Sequence, residues 1–203
     1  MKRTEKTELT VSKILDAALE EFGANGYAGG TINNICKRGI NKGLIYHNFR
    51  DKDALYLACL ENSCGKLVSS IEESGCTSDQ LQYMNIRMRF FKEHPNEAHI
   101  FFEAILQPQE KLRDRIQKIL QPFEEINEKI YRSVVSGVTL RDGITKEDAI
   151  DYFRQMQRMF NGYFSSSAYR HMALDEQIRE HEMNLSKLLD FMLYGIAKGG
   201  MEK

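Results

Sequence analysis

The amino-acid sequence predicts an all-α protein. The 203-residue chain contains only three prolines and is rich in glutamate, lysine, leucine and alanine, which are strong helix formers. Apolar residues recur at helical spacing along most of the chain, and no stretch shows the alternation of a half-buried strand. The apolar content of 42% and the charged content of 28% are typical of an ordinary globular domain.

The first predicted helix precedes residue 26. Gly26 is well placed to end it, because glycine readily adopts the left-handed conformation that follows many helices. The helix has one apolar face, formed by residues spaced three or four apart: Val11, Ile14, Leu15, Ala18, Leu19 and Phe22.

Residues 31–55 predict two very short helices, joined by a tight turn and followed by the start of a long helix. Thr31 and Asn41 are suitable N-caps, because their side-chain oxygens can accept hydrogen bonds from backbone N–H groups of the first turn. Gly39 permits the positive φ that a tight turn often needs. The expected core positions are Ile32 and Ile35 in the first helix and Ile45 and Phe49 in the second, and Asp51 is the expected N-cap of the long helix.

Basic residues are concentrated in the same segment. Residues 31–52 contain five lysines and arginines and one acid, whereas the whole chain has a net charge of −1. Phosphate contacts supply most non-specific affinity for DNA, and a local basic surface is typical of proteins that make them. Gly43 has no apparent core role, which favours close approach of the backbone to a phosphate or a base edge. Together with Tyr46 and His47, these features favour a DNA-binding helix-turn-helix over a solvated polar hairpin.

The segment resembles the DNA-binding domain of tetracycline-repressor-type (TetR family) transcriptional regulators. The resemblance covers about residues 10–60 and includes the first helix, ILDAALEEFGANGY. The matching positions of the helix-turn-helix are Thr31, Ile32, Ile35, Lys42, Gly43, Tyr46, Phe49, Lys52 and Leu55.

The resemblance also implies roles for individual residues. It implies a three-helix DNA-binding domain at residues 1–52, whose second short helix reads the DNA. Lys42 and Leu44 are the residues expected at base edges, since a leucine side chain can contact the methyl group of thymine. Gly43 belongs to the same surface. The expected phosphate contacts are Thr31, Tyr46, His47 and Lys52.

One departure from the family pattern concerns the turn. Only seven residues separate Ile35 from Gly43, one fewer than in the pattern. We therefore expect either that the first short helix ends one residue early or that the turn is tighter than usual. Either change alters how the second short helix is aimed at DNA.

Residues 53–203 predict a larger helical domain, which the resemblance assigns to effector binding and dimerisation. Pro122 should kink or split a long amphipathic helix in this domain. Thr145 and Asp148 resemble the two ends of a capping box. The predicted helices cover about residues 52–74, 79–93, 96–106 and 109–136, and two more follow near the C-terminus.

The last two predicted helices each carry an apolar stripe. In the final helix, Phe191 and Leu193 widen the stripe beyond the usual width of about 100°, so that the helix must bury two sides. One alternative is that both sides are buried within one chain. The resemblance instead implies a homodimer with a four-helix interface, in which two recognition helices read a palindromic operator in double-stranded DNA. The candidate interface residues are Phe153, Met156, Phe160, Leu185, Leu189, Met192 and Ile196.

The middle of the chain is rich in phenylalanine, tyrosine and methionine, which on helices are first of all core residues. The resemblance implies that part of this core binds a small-molecule effector. Pockets of this kind are mostly apolar with a few polar anchors, so an apolar or amphipathic effector is expected. The candidate pocket residues are Phe101, Phe102, Glu103, Tyr131, Phe160 and Tyr163, with Arg87, Asn127 and Asn161 as further polar anchors.

The sequence lacks the motifs that are typical of several classes of enzyme and metal-binding protein. Nucleophile elbows, phosphate-binding loops, dinucleotide motifs and zinc-protease motifs are absent, and the four cysteines form no C-x-x-C pair, so no enzyme, cofactor or metal site is expected. His171 and His181 are expected at the surface, and a redox role of Cys59, Cys64 or Cys76 is an alternative. Because there is no secretory signal and no apolar run that could span a membrane, a cytoplasmic protein is expected.

The sequence therefore predicts a homodimeric transcriptional regulator, in the simplest case a repressor that a small-molecule effector releases from a palindromic operator. The first alternative is a helical adaptor whose basic hairpin binds a protein. The second is a small-molecule-binding protein without a role on DNA. The residues do not specify the operator or the effector.

Overall fold

The computed structural model describes residues 3–76, 79–169 and 171–196, and within these ranges it contains α-helices, one 3-10 helix and no β-strand. The predicted all-α class is confirmed. The helices are α1 (Arg3–Gly29), α2 (Ile32–Lys37), α3 (Lys42–Asn48), α4 (Lys52–Glu73), α5 (Gln80–Glu93), α6 (Pro95–Leu106), the 3-10 helix η1 (Glu110–Leu112), α7 (Arg113–Ser136), α8 (Lys146–Phe164) and α9 (Leu174–Ile196).

The chain forms two compact units. The first comprises Met1–Lys66 and Phe91–Leu120, and the second comprises Leu67–Phe90 and Gln121–Lys203. The helix-turn-helix segment therefore lies wholly in the first unit. The division into a DNA-binding domain of residues 1–52 and an effector and dimerisation domain of residues 53–203 stays a prediction.

The first unit is built around the packing of α1 against α6. The ring centroid of Phe101 lies 5.4 Å from those of Phe91 and Phe102. Phe22 of α1 meets Tyr56 of α4 edge to face at 5.4 Å. Such aromatic pairs add to the free energy gained from burying large apolar rings. Large buried rings thus join α1 to α4 and α5 to α6 within the first unit.

α1 is interrupted at Gly26, where φ is 64° and ψ is 178°. The predicted break at this residue is confirmed, although helical residues continue beyond it to Gly29. A positive φ of this kind is readily adopted by glycine, because it has no Cβ.

α7 continues through Pro122, so the predicted split is wrong. Proline lacks an N–H, which leaves the carbonyl of Lys118 without its helical partner. Both residues are exposed, so that water can bind this carbonyl. Buried apolar residues on both sides of the proline stabilise the continuous helix: Ile116, Leu120, Phe123, Ile126 and Ile130.

In the second unit, α8 packs against α9. The predicted capping box at the start of α8 is confirmed, because Thr145 Oγ1 accepts from the backbone N–H of Asp148 at 3.1 Å. In return, the carboxylate of Asp148 accepts from the backbone N–H of Thr145 at 2.9 Å. Tyr131 of α7 stacks on Phe153 of α8 with ring centroids 4.0 Å apart.

Candidate functional site

Local hydrogen bonds define the beginnings of α2 and α3. Thr31 Oγ1 accepts from the backbone N–H of Asn34 at 3.1 Å. Asn41 Oδ1 accepts from the backbone N–H of Gly43 at 2.7 Å. Between the two helices, Gly39 has a φ of 86°. Both predicted N-caps and the predicted glycine in the turn are therefore confirmed.

The turn between α2 and α3 comprises Arg38–Asn41. Two backbone hydrogen bonds tighten the end of α2 where the turn begins. The N–H of Arg38 donates to the carbonyl of Ile35, and the N–H of Gly39 donates to that of Cys36, both at 3.1 Å. Bonds of this i→i+3 type tighten the last turn of a helix. In this way the chain joins the two helices with one residue fewer than the pattern it resembles.

α3 has one buried and one exposed face. Ile45 is buried as predicted, whereas Leu44 is 47% and Tyr46 is 50% exposed. An exposed leucine and tyrosine beside a lysine offer both apolar and charged groups to a partner. The exposed residues predicted to read DNA, which we call the recognition face, are Lys42, Gly43, Leu44, Tyr46 and His47.

Phe49 is not part of α3. The helix ends at Asn48, and Phe49 follows in an extended conformation, with φ −129° and ψ 124°, and is half-buried. The predicted buried stripe of Ile45 and Phe49 within one helix is therefore wrong. The chain must leave the helix here to reach Asp51, whose Oδ1 accepts from the backbone N–H of Ala54 at 2.8 Å and caps α4 as predicted.

Exposed positive charge lies beside the recognition face. The ammonium of Lys42 donates to Asn33 Oδ1 at 3.1 Å, and both residues are exposed. Arg50 lies just beyond α3, with 93% of its side chain exposed. These cations are free to exchange weak surface contacts for phosphate oxygens.

Lys52 is more enclosed. It is half-buried at the start of α4, with its ammonium 4.5 Å from the centre of the Tyr27 ring, and burial lowers its pKa. The Tyr27 hydroxyl donates to Asp53 at 2.5 Å, and Lys111 donates to the same carboxylate at 2.7 Å. The predicted phosphate contact of Lys52 stays a prediction.

A buried carboxylate of α1 supports α2. Glu21 is only 3% exposed. Its Oε1 accepts from the backbone N–H of Thr31 at 3.1 Å and from the side-chain amide of Asn34 at 2.9 Å. Sequence reasoning missed this residue, although an acid spaced with Ala17 and Ala18 on the apolar face of α1 indicates a buried polar partner.

Three of the candidate effector residues lie in the first unit. Phe101 and Phe102 are buried in its aromatic core. The buried carboxylate of Glu103 accepts from the backbone N–H of Tyr27 and from the Tyr56 hydroxyl. Their contacts therefore join α6 to α1 and α4.

The other three candidate effector residues lie in the second unit. Tyr131 is buried against Phe153, and its hydroxyl finds no hydrogen-bond partner in the described part of the chain. Phe160 is half-buried, with its ring 4.8 Å from that of His181, and Tyr163 is 58% exposed. The six candidates are thus divided between the two units, and effector binding by any of them stays a prediction.

Most of the predicted interface residues are buried within this one chain. Met156 and Phe160 are half-buried, and the side chain of Ile196 lies outside the described ones. A side chain that is already buried has little surface left for a partner, and the interface role of these residues stays a prediction. The buried ones, each at most 5% exposed, are Phe153, Leu185, Leu189 and Met192.

Other apolar side chains of the same two helices are exposed. On α8 they recur on one face, at spacings of seven and four residues. Sequence reasoning named Tyr163 as a pocket candidate and Phe191 as part of a wide stripe but assigned neither to an exposed face, because an apolar stripe does not show which of its sides is buried. We call this set the outer face: Tyr152, Met159, Tyr163, Met183, Phe191 and Tyr194.

A buried ion pair lies in the second unit. The guanidinium of Arg87 donates to both carboxylate oxygens of Glu182, at 2.7 and 3.1 Å, and to the Tyr83 hydroxyl at 3.0 Å. The Tyr83 hydroxyl also bonds the side chain of Asn127. The pair is enclosed further by the ring of Phe123, 5.1 Å from the guanidinium.

The ion pair extends into α8 through His181. The two ring nitrogens of His181 lie 3.1 Å from Glu182 and 3.0 Å from Asn161. The prediction of a surface position for His181 is wrong, because this residue is only 3% exposed. Three predicted polar anchors, Arg87, Asn127 and Asn161, are thus joined in one network, whereas Glu182 and His181 were missed.

No further chemical centre emerges among the side chains that the structure describes. No three His, Cys, Asp or Glu residues come together there as a metal site requires. Cys59, Cys64 and Cys76 are buried, and burial raises the pKa of Cys59 to about 12. A high pKa suppresses the reactive thiolate, which argues against a redox role for Cys59.

Among the described residues, no helix has the length and apolar character that crossing a membrane requires.

Comparison with known proteins identifies the N-terminal part. Residues 14–59 match the model of a family described as bacterial regulatory proteins, tetR family. The HTH-type transcriptional repressor AcnR of Corynebacterium efficiens is 25% identical over 91 residues, which are 40% of this chain and 48% of that protein. The chain thus spans about half the length of this relative. The fatty acid metabolism regulator protein of Bacillus subtilis is 24% identical over 138 residues, which are 65% of this chain and 71% of that protein.

Solved structures share the whole architecture. The transcriptional regulator FadR from Bacillus subtilis, in complex with stearoyl-CoA, has a TM-score of 0.64 and 18% identity, over 91% of this chain and 98% of that chain. This likeness shows the fold, while the family match covers the helices that carry the recognition face. Residues 14–59, which include the recognition face, are therefore similar to the tetR family of bacterial regulatory proteins, and the fold of the chain is that of FadR.

Proposed function

We propose that the protein is a homodimeric transcriptional repressor that binds a palindromic operator and is released by a small molecule. The observation that carries this proposal is the exposed recognition face of α3, which follows a capped α2 and a tight turn. A helix of this kind enters the major groove with its N-terminal residues toward the bases, while the preceding helix crosses the backbone.

We propose that different residues of the recognition face contact bases and phosphates. Lys42 and Leu44 lie in the first turn of α3 and are proposed to reach base edges, Leu44 through a thymine methyl group. Tyr46, His47 and Thr31 are proposed to bind phosphates, which position the protein without reading sequence. Gly43 allows a close approach, because a Cβ there meets only the Asn41 side chain, at 3.1 Å.

The outer face supports a dimer. It consists of exposed tyrosine, methionine and phenylalanine side chains, which are enriched at protein interfaces. We propose that the outer faces of α8 and α9 pair with those of a second copy around a two-fold axis. A two-fold dimer presents two recognition faces, which matches the symmetry of a palindrome.

We propose a long-chain acyl thioester as the effector. Two observations support this class: the similarity to a fatty acid metabolism regulator, and the fold shared with FadR, whose structure contains stearoyl-CoA. Tyr131 is the proposed anchor for the polar group of the ligand. Its buried hydroxyl has no partner among the residues that the structure describes, and buried polar groups are almost always hydrogen-bonded.

Substitution of two lysines tests the DNA-binding role. Lys42→Ala should reduce discrimination between a palindrome selected by the wild-type protein and random duplex DNA by about 5- to 150-fold, because a base contact supplies about 1–3 kcal/mol. Lys52→Ala should weaken binding to both DNAs about equally and lower the salt slope by about one. Fluorescence anisotropy across a salt series measures both quantities.

The outcomes separate the alternatives. An equal loss on both DNAs for both variants contradicts the base-edge role of Lys42. If the wild-type protein shows no salt-dependent preference for any duplex, the repressor proposal fails and the helical adaptor is favoured.

The effector proposal has its own test. Stearoyl-CoA should release the wild-type protein from the palindrome and raise its Tm, because a ligand that binds only the folded state stabilises it. Tyr131→Phe should require about tenfold more stearoyl-CoA, since it removes one hydrogen bond to the ligand. Tyr152→Phe, the same change on the outer face, is the matched control. If Tyr131→Phe and the wild-type protein respond identically to stearoyl-CoA, Tyr131 is not the anchor. If the wild-type protein does not respond to stearoyl-CoA, the proposal of a long-chain acyl thioester as effector fails.

A further inference from the structure

The break in α1 exposes a backbone donor inside the protein. At Gly26 the chain has a φ of 64° and a ψ of 178°, which is not helical, and the N–H of the next residue, Tyr27, donates to a side chain of another helix. One short turn follows, closed by the N–H of Gly30 on the carbonyl of Gly26 at 2.9 Å. A buried backbone N–H is costly unless it finds an acceptor.

The acceptor comes from another helix. Glu103 of α6 places one carboxylate oxygen 2.8 Å and the other 3.0 Å from the N–H of Tyr27. The carboxylate leaves no room for a side chain at residue 26, because a Cβ there would lie 2.8 Å from Glu103 Oε1. The conformation of Gly26 and the position of Glu103 therefore depend on each other.

The same carboxylate reaches α4. The Tyr56 hydroxyl donates to Glu103 Oε2 at 3.0 Å, and the Tyr56 side chain is only 1% exposed. The ring of Tyr56 also lies 5.0 Å from that of Tyr27, edge to face. One acidic group thus holds three helices: α1 at its break, α4 through Tyr56, and α6 on which it lies.

The break is close to the DNA-binding helices. Only Gly30 separates the end of α1 from Thr31, the N-cap of α2. Thr31 is itself held by Glu21, on the part of α1 before the break. The direction in which the chain enters α2 therefore depends on the angle between the two parts of α1.

A neutral amide is a poor substitute for the carboxylate. Glu103 accepts hydrogen bonds from two donors, the N–H of Tyr27 and the Tyr56 hydroxyl. A carboxylate offers acceptors only, whereas glutamine replaces one oxygen by an NH₂ donor. Burial raises the pKa of Glu103, and the bonds from Tyr27 and Tyr56 act in the opposite direction by stabilising the ionised form.

We propose that Glu103 is a positioning residue for DNA binding, which fixes the break in α1 and thereby the orientation of α2 and α3. The inference rests on the proposed function in so far as it concerns DNA recognition. It acts through Tyr27 and Tyr56, not by contact with DNA.

Hydrogen exchange measured by mass spectrometry on the full chain tests this proposal without DNA. In Glu103→Gln, the amides of residues 27–49 should exchange at least about tenfold faster, because hydrogen bonds to a charged group are lost. Amides of the second unit should keep their wild-type rates. The affinity for the selected palindrome should fall by at least about tenfold, while binding to random DNA changes less.

Glu97→Gln is the matched control. Glu97 is also a buried acid of α6, but it pairs with Lys66 at 2.8 Å, and its replacement should leave exchange of residues 27–49 unchanged. The proposal is overturned if Glu103→Gln leaves that exchange unchanged, or if exchange accelerates equally over the whole chain, which indicates a general loss of stability.

Tyr56→Phe keeps the proposal testable if Glu103→Gln does not fold. It removes one of the bonds to Glu103 and should accelerate exchange of residues 27–49 alone; unchanged exchange overturns the proposal. Failure of the wild-type protein to select a palindrome removes the proposed function, whereas the exchange experiment still decides whether Glu103 positions α2 and α3.

Discussion

Replacing Arg87 by alanine is expected to lower the free energy of unfolding by about 3–5 kcal/mol, the usual cost of removing one partner of a buried ion pair. Arg87 is only 3% exposed, and its guanidinium makes two bonds to Glu182 and one to Tyr83. Without it, the carboxylate of Glu182 remains buried and loses its counter-ion. Chemical denaturation at neutral pH, followed by circular dichroism, measures the difference.

The loss should depend on pH. Burial acts to raise the pKa of Glu182, but the charge of Arg87 and the hydrogen bonds of the carboxylate outweigh it, so that the pKa lies below its ordinary value. A carboxyl whose pKa is lowered by folding stabilises the protein above its unfolded pKa, and this contribution is lost as the pH falls through the folded value. The difference between wild type and Arg87→Ala should therefore shrink below about pH 4.

Arg132→Ala is the control for the ion-pair prediction. Arg132 also bonds two carboxylates, Glu128 at 2.9 Å and Glu147 at 3.1 Å, but it lies at the surface. Exposed pairs of this kind contribute at most about 1 kcal/mol. If both substitutions cost the same, burial is not what makes the Arg87–Glu182 pair important.

Replacing Phe191 by aspartate is expected to dissociate the proposed dimer. Phe191 is 81% exposed and lies on the outer face of α9 between Met183 and Tyr194. A central aromatic residue of an interface contributes about 2 kcal/mol or more. Because a two-fold interface contains each residue twice, the dimer dissociation constant should rise about a thousandfold, corresponding to about 4 kcal/mol. Sedimentation equilibrium over a concentration series measures this constant.

Leu81→Asp is the control for the dimer prediction. Leu81 is a comparable exposed apolar residue, 67% exposed, but it lies on α5. It should leave the dimer intact. The outer face is not the dimer interface if the wild-type protein is monomeric or if both substitutions have the same effect. Loss of the dimer in Phe191→Asp should also weaken binding to a palindrome much more than binding to one half-site.

Features that depend on neighbouring residues were predictable from the sequence. Thr31, Asn41 and Asp51 cap helices through bonds to backbone groups two or three residues away. Gly39 and Gly26 take the positive φ values expected of them. Such contacts need no knowledge of the rest of the fold. Where a local rule competes with packing, as at Pro122, the buried residues of α7 decide the outcome.

Contacts between distant residues were not predictable in the same way. Arg87 and Glu182 are 95 positions apart, and Glu103 and Tyr27 are 76 positions apart. Nothing in a single sequence identifies which buried donor will meet which acceptor. His181 shows the consequence: its type and its neighbours in the sequence indicated the surface, while the tertiary structure buries it beside Glu182.

By itself, the sequence determined the helical class and the helix-turn-helix, because periodicity, caps and a local excess of positive charge are properties of short segments. The tertiary structure decided which side of each helix is free. The stripe on α9 is wide enough to bury two sides, and only packing shows that Phe153 of α8 and Leu185 of α9 face the chain's own core while Tyr152 and Phe191 are exposed. A helix buries the side on which its neighbours lie, and the positions of those neighbours are a property of the whole chain.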